Sequence, residues 1–100
     1  MYVVIFKANI LQLDAEYFSL AKQLREKALT QFNCQKFEAL TENNQEIALS
    51  YWLSLQDIQN WKNDAEHLIA QQLGLNKWYQ SISVEICKIE KSYNKDNLEG

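Results

Sequence analysis

The sequence predicts an α+β fold of element order β-α-β-β-α-β, a four-stranded antiparallel sheet with helices on one face. Three observations lead there. Runs of β-branched and aromatic residues with two-residue alternation occur at four places. In the two long gaps between them, apolar residues instead recur at three- and four-residue steps. The chain of 100 residues has no proline and two glycines, so boundaries are read from caps and periodicity.

Tyr2 to Asn9 opens with Val3, Val4, Ile5 and Phe6 and reads as a strand apolar on both faces at its start. Asp14 caps the helix that follows. Its stripe is Tyr17, Leu20, Ala21, Leu24 and Ala28, with Lys22, Gln23, Arg25, Glu26 and Lys27 opposite, and it ends near Thr30. Cys34 to Thr41 alternates Phe37 and Ala39 against Lys36 and Glu38 as a second strand. Glu42 to Gln45 is a polar turn, and Ile47 to Trp52 returns as the third strand of a hairpin. Ser54 and Asp57 form a capping box for a helix with Leu55, Ile58 and Trp61 inward. A kink near Asn63 leads into a second helical piece, Ala65 to Leu73, stopped by Gly74. Ser81 to Ser92 is the last strand, with Ile82, Val84 and Ile86 against Ser83, Glu85 and Cys87. Residues 1–93 form the domain, and 94–100 read as a flexible polar tail.

This is the ferredoxin-like order. Apolar residues occupy both registers of the strands, so the sheet face opposite the helices also needs cover. In so short a chain a second copy supplies it, giving a homodimer packed sheet to sheet.

Composition narrows the function classes. With 47% hydrophobic residues the chain is globular rather than disordered. A net charge of −3 and scattered basic residues exclude a nucleic-acid footprint and attraction to acidic lipid. No apolar run spans a membrane, and no signal-peptide pattern is present. Cys34 and Cys87 are isolated thiols, expected as buried small side chains rather than a disulfide or zinc site. A cytoplasmic location follows. Glycine-rich phosphate loops and metal-ligand spacings are absent, so no cofactor or metal is expected. Glu16, Glu26, Glu38, Glu42 and Glu46 read as solvated faces and turns.

The segment IALSYWLSLQDIQNWKNDAEHLIAQ (47–71), then Gly74, Trp78-Tyr79 and a strand ending in Glu90-Lys91-Ser92-Tyr93, resembles the antibiotic biosynthesis monooxygenase-like family, small dimeric α+β barrels. The resemblance runs to about Tyr93. It implies cofactor-independent oxygenation of a phenol- or quinol-type substrate in an apolar pocket between helices and sheet. A non-catalytic ligand-binding or structural homodimer is the alternative. Haem-degrading relatives use a strand-one Asn, a helix Trp and an axial His. Asn9 and Trp61 fall in plausible places, but Gln71 stands near the ligand position, not His67, and an amide is a poor iron ligand.

Trp61, Trp78, Tyr79 and Phe6 are the candidates for lining a substrate pocket, and the same aromatics also suit a core. His67, Tyr51 and Asn9 are the candidate polar groups. Read as one helix at about 100° per residue, Trp61 to Leu73 puts Trp61, Ala65, Leu68 and Gln72 on one stripe, with Ile69 beside it. His67 then lies on the far side, solvated or bonded to Asn63, unless the kink turns it to a cavity mouth. There its ordinary pKa of about 6.5 suits proton transfer. Tyr51 and Trp52 point to opposite faces, and so do Phe6 and Asn9. Periodicity leaves open which of Tyr51 and Trp52 faces the helices.

Overall fold

The computed structural model describes residues 1–95. The elements run β1 (Tyr2–Ile10), α1 (Ala15–Gln31), β2 (Cys34–Glu42), β3 (Gln45–Trp52), α2 (Leu55–Lys62), α3 (Ala65–Leu73), a π-helical turn (Gly74–Trp78) and β4 (Tyr79–Lys88). The sheet order is β2-β3-β1-β4, with every neighbouring pair antiparallel. This is the predicted ferredoxin-like order, with the second helix in two pieces.

Local chemistry sets the boundaries. Asp14 Oδ1 accepts the Tyr17 backbone N–H at 2.9 Å and starts α1. Asn33, at φ 64°, turns the chain out of α1 into β2, and Asn43, at φ 56°, makes the β2–β3 turn. Asparagine tolerates this left-handed region because its short amide bonds locally. Ser54 Oγ accepts the Asp57 N–H at 3.1 Å and starts α2. The kink falls where expected: Asn63 N–H still reaches Gln59 O, while Asp64 N–H turns back to Trp61 O. The ion pair Lys27–Asp64, at 3.2 Å, ties this break to α1.

One sheet face packs under the helices. Val4, Ala28, Cys34, Trp52, Ile58 and Trp61 form its core, flanked by Tyr2, Leu24, Phe32 and Phe37. Pairing of Tyr2 with Trp52 and of Val4 with Ser50 puts these residues on the helix face. Trp52 is therefore the inward member of its pair, fully buried, with its Nε1–H donated to Ser50 Oγ at 2.9 Å. Tyr51 lies on the open face beside Lys36. That face carries Val3, Ile5 and Leu49, half-buried, and Ile47 and Leu40, exposed.

The structure corrects several expectations. β4 begins two residues earlier than its alternation suggested and ends at Lys88, not Ser92. It is an edge strand, and Cys87 is exposed on it, whereas Cys34 is buried as expected. Leu68 and Ile69 are exposed and His67 turns inward, the reverse of the single-helix reading, because the break at Asn63–Asp64 resets the helical phase. Glu46, expected in solvent, is only 6% exposed. The tail expected at 94–100 lies, from residue 96 onward, outside the described residues.

Candidate active site

The predicted site residues separate into three places. Trp61 and His67 lie in the helix-side core. The Trp61 ring is 5.3 Å from Trp52 and 6.1 Å from Phe37, and its Nε1–H is donated to Leu24 O at 3.2 Å. The His67 ring meets Trp61 edge-on with centroids 4.2 Å apart. Phe6, Trp78 and Tyr79 gather at the other end of the helix face, around Tyr17. Asn9 and Tyr51 lie on the open face, where Asn9 Nδ2 donates to Ser81 Oγ at 2.8 Å. The β4 register shift falls just past Asn9, so it does not turn that side chain through the sheet.

The second place holds a group that sequence reasoning missed. Glu46, the second residue of β3, lies opposite Ala8, whose small side chain leaves room on the helix face. Tyr17, in the first turns of α1, donates its hydroxyl to Glu46 Oε1. Tyr79, the first residue of β4, donates its hydroxyl to Glu46 Oε2 at 3.0 Å. The Tyr79 ring lies 5.6 Å from Phe6 and 6.2 Å from Tyr17. One edge of the ring also comes close to Gly74, where an added Cβ would stand 3.1 Å from Tyr79 Cδ2 and 3.2 Å from Cε2. Only glycine allows that approach without displacing the ring.

Asp14 holds this end together. Besides capping α1, it accepts Trp78 Nε1–H at 3.1 Å and pairs with Lys77 Nζ at 2.8 Å. The Lys77 contact draws its carboxyl below the usual range. Trp78, now buried, packs edge-on against Tyr17 at 5.3 Å. The start of α1 and the start of β4 are thus fastened to each other with Glu46 beneath them.

Burial raises the Glu46 carboxyl above its ordinary pKa, and the Tyr79 hydroxyl offsets part of the rise. Burial, then the neighbouring Glu46 charge, drives Tyr79 far above its ordinary value. Tyr79 therefore remains an O–H donor at any working pH. His67 is depressed chiefly by burial, with the nearby Trp61 backbone pulling the other way. Its Nδ1 has no hydrogen-bond partner among the described residues.

A pH prediction follows from His67. A histidine with a depressed folded pKa supports the fold above its unfolded value of 6.5, and that support is lost as pH falls through the folded pKa. The parent is expected to lose more thermal stability than a His67→Gln variant between neutral pH and about pH 5. Melting curves at the two pH values check this; equal losses would remove His67 from the acid response.

Two open concavities lie on the other sheet face. One of about 350 Å³ is lined by Lys7, Asn9, Gln45, Ile47, Ser81 and Ser83, among others. The second, of about 220 Å³, is lined by Glu38, Leu40, Glu42 and Leu49 with their neighbours. Phe6, Trp61, Trp78 and Tyr79 line neither.

This architecture is that of the antibiotic biosynthesis monooxygenase-like proteins. An antibiotic biosynthesis monooxygenase of known structure aligns with TM-score 0.73 and 14% identity over 91% of this chain and 100% of its own. SnoaB, a cofactor-independent oxygenase from Streptomyces nogalater, aligns with TM-score 0.74 and 11% identity over 91% of this chain and 94% of its own. No family model matches the chain. In sequence the chain is 30% identical over 91 residues to the uncharacterized protein YqjZ of Bacillus subtilis, covering 90% of this chain and 80% of that protein. The chain belongs to one family with YqjZ, and its fold is the one its sequence resembled.

Proposed function

We propose that this protein is a cofactor-independent monooxygenase acting on a small phenol- or quinol-type substrate, working in the cytoplasm as a homodimer joined through its open sheet faces. The observation that carries the reading is the aromatic cluster of Phe6, Tyr17, Trp78 and Tyr79 at one end of the helix–sheet layer, closed over polar hydroxyls. Flat apolar rings with a few fixed polar atoms suit a small aromatic ligand. In this reading Phe6, Trp78 and Tyr79 meet the substrate where the cluster opens to admit it, with Trp61 and His67 behind them in the core. Asn9 and Tyr51, on the open face, lie towards the partner copy. Similarity to a cofactor-independent oxygenase fold adds to the reading without supplying a substrate.

The chemistry needs no group beyond substrate and O₂. A phenol with a free para carbon loses its hydroxyl proton, and the electron-rich ring carbon bonds to O₂. The O–O bond then breaks. One oxygen becomes the new quinone carbonyl, and the other leaves as water with the two hydrogens lost from the ring C–H and the O–H. The substrate supplies all four electrons that reduce O₂. The protein's part is to bind the ring, take the proton and exclude bulk water. Haem is not part of this mechanism: position 71 is glutamine, exposed on α3, and the His67 ring is engaged with Trp61.

Oxygen uptake with a panel of phenols and quinols tests the reading, with Trp61→Phe and His67→Ala variants alongside. Turnover above the uncatalysed background, depressed in at least one variant, is expected. Traces no faster than buffer for every compound would overturn the assignment.

A further inference from the structure

We propose that Glu46 is the general base of this site, its Oε1 taking the proton of a phenolic hydroxyl that displaces the Tyr17 hydroxyl. The inference rests on the oxygenase reading for its substrate class, but its geometry stands apart from it. Buried carboxylates are ordinarily matched by a cation, because an unpaired buried charge is costly. Among the described residues, the ion pairs are Lys27–Asp64, Lys36–Glu38 and Lys77 with Asp14 and Glu16, and none involves Glu46. Instead each Glu46 oxygen is met by a phenol, Tyr17 on one and Tyr79 on the other. The protein thus already places phenolic O–H groups on this carboxylate, within an aromatic surround. A phenolic substrate requires the same recognition.

The two tyrosines are not equivalent. Tyr79 is hemmed in by Gly74 at Cδ2 and Cε2 and by Phe6 beside it, at the start of a paired strand. Tyr17 stands in the first turns of α1, next to Phe18, which is 62% exposed. Displacing Tyr17 opens a way in from the surface; displacing Tyr79 requires moving β4. Tyr79 is therefore the fixed second donor and Tyr17 the exchangeable one.

The proton balance suits a buried site. The substrate O–H bond breaks and an O–H bond forms on Glu46 Oε1. One negative charge passes from carboxylate to phenolate, so no additional charge is buried. The upward push on Glu46 from burial brings its proton affinity closer to that of a phenol, which favours transfer. Tyr79, pushed upward as well, stays protonated and donates throughout. When the O–O bond breaks, the Glu46 carboxyl returns its proton to the departing oxygen.

The test uses the full chain and 4-nitrophenol, whose phenolate is coloured, at about one pH unit below the probe's own pKa. Binding to the parent is expected to raise the phenolate band. Glu46→Gln is expected to bind the probe without that band and to slow oxygen uptake by roughly 100-fold or more. Tyr17→Phe, which leaves Oε1 open, is expected to bind the probe more tightly than the parent. A probe that binds the parent as neutral phenol, or does not bind, overturns the inference even where oxygen uptake proceeds. A phenolate band without oxygen uptake by any phenol would instead sink the oxygenase reading and leave the base in place. Should Glu46→Gln fail to fold, Tyr17→Phe decides, and binding no tighter than the parent counts against the proposal.

Discussion

Replacing Trp61 with alanine is expected to destabilise the fold by about 3–5 kcal/mol, the usual range for deleting a large buried aromatic. Trp61 is 7% exposed and joins elements distant in sequence: Trp52 on β3, Phe37 on β2, His67 on α3 and the Leu24 carbonyl on α1. Its removal leaves an apolar void bounded by rings too rigid to collapse into it. It also strips a donor from Leu24 O. Domains of this size have about 5–15 kcal/mol in total, so the loss takes a large share. Trp61→Phe retains most of the ring contact and is expected to cost less than half as much. Urea unfolding of parent and both variants measures this. An alanine variant within about 1 kcal/mol of the parent would show that Trp61 is not the anchor of the helix layer.

Leu49→Lys is expected to leave the protein folded but monomeric. Leu49 sits on β3 on the open face, opposite Ile5 on β1 and Glu38 on β2. With Val3, Ile5, Ile47 and Leu40 it forms an apolar strip, and Leu40 is 80% exposed in the single chain. Strips of this kind on a sheet mark contact surfaces. In the proposed dimer a lysine here places an ammonium at the centre of a dry interface, where removal from water costs several kcal/mol. In a lone protomer the same side chain reaches solvent, so folding is little affected. Light scattering at micromolar concentration reads the mass, and circular dichroism confirms the fold. A monomeric parent, or an unchanged dimer in the variant, would count against assembly through this face.

The features legible along the chain were those set by neighbours three or four residues away. Asp14 and Ser54 cap the helices expected of them because a cap needs only its own side chain and the next turn's N–H. The kink at Asn63 is likewise local; Gly74, expected to stop the helix, instead lets it run on as the π-helical turn to Trp78, with no left-handed cap. Trp61 was readable as a buried anchor from its place on α2. His67 was not, since a break between Asn63 and Asp64 changes the phase of all that follows, and no periodicity carries across it.

Glu46 shows the other limit. In sequence it follows the polar run Glu42 to Gln45 and looks like one more solvated turn residue. A signal was present in its register: Glu46 lies on the same side of β3 as Ser50 and Trp52, two and three pairs along. That alternation ties Glu46 to the face of Trp52, but only the folded structure puts that face under the helices.

By itself, the chain determined the order of elements, their caps and the two faces of each strand, because these depend on short-range hydrogen bonds and side-chain period. Tertiary structure alone decided which strand face went under the helices. It also brought Tyr17 and Tyr79, 29 and 33 residues away from Glu46, onto one carboxylate. Burial and the pKa shift that comes with it depend on what arrives from distant elements, and no local pattern of residues records that.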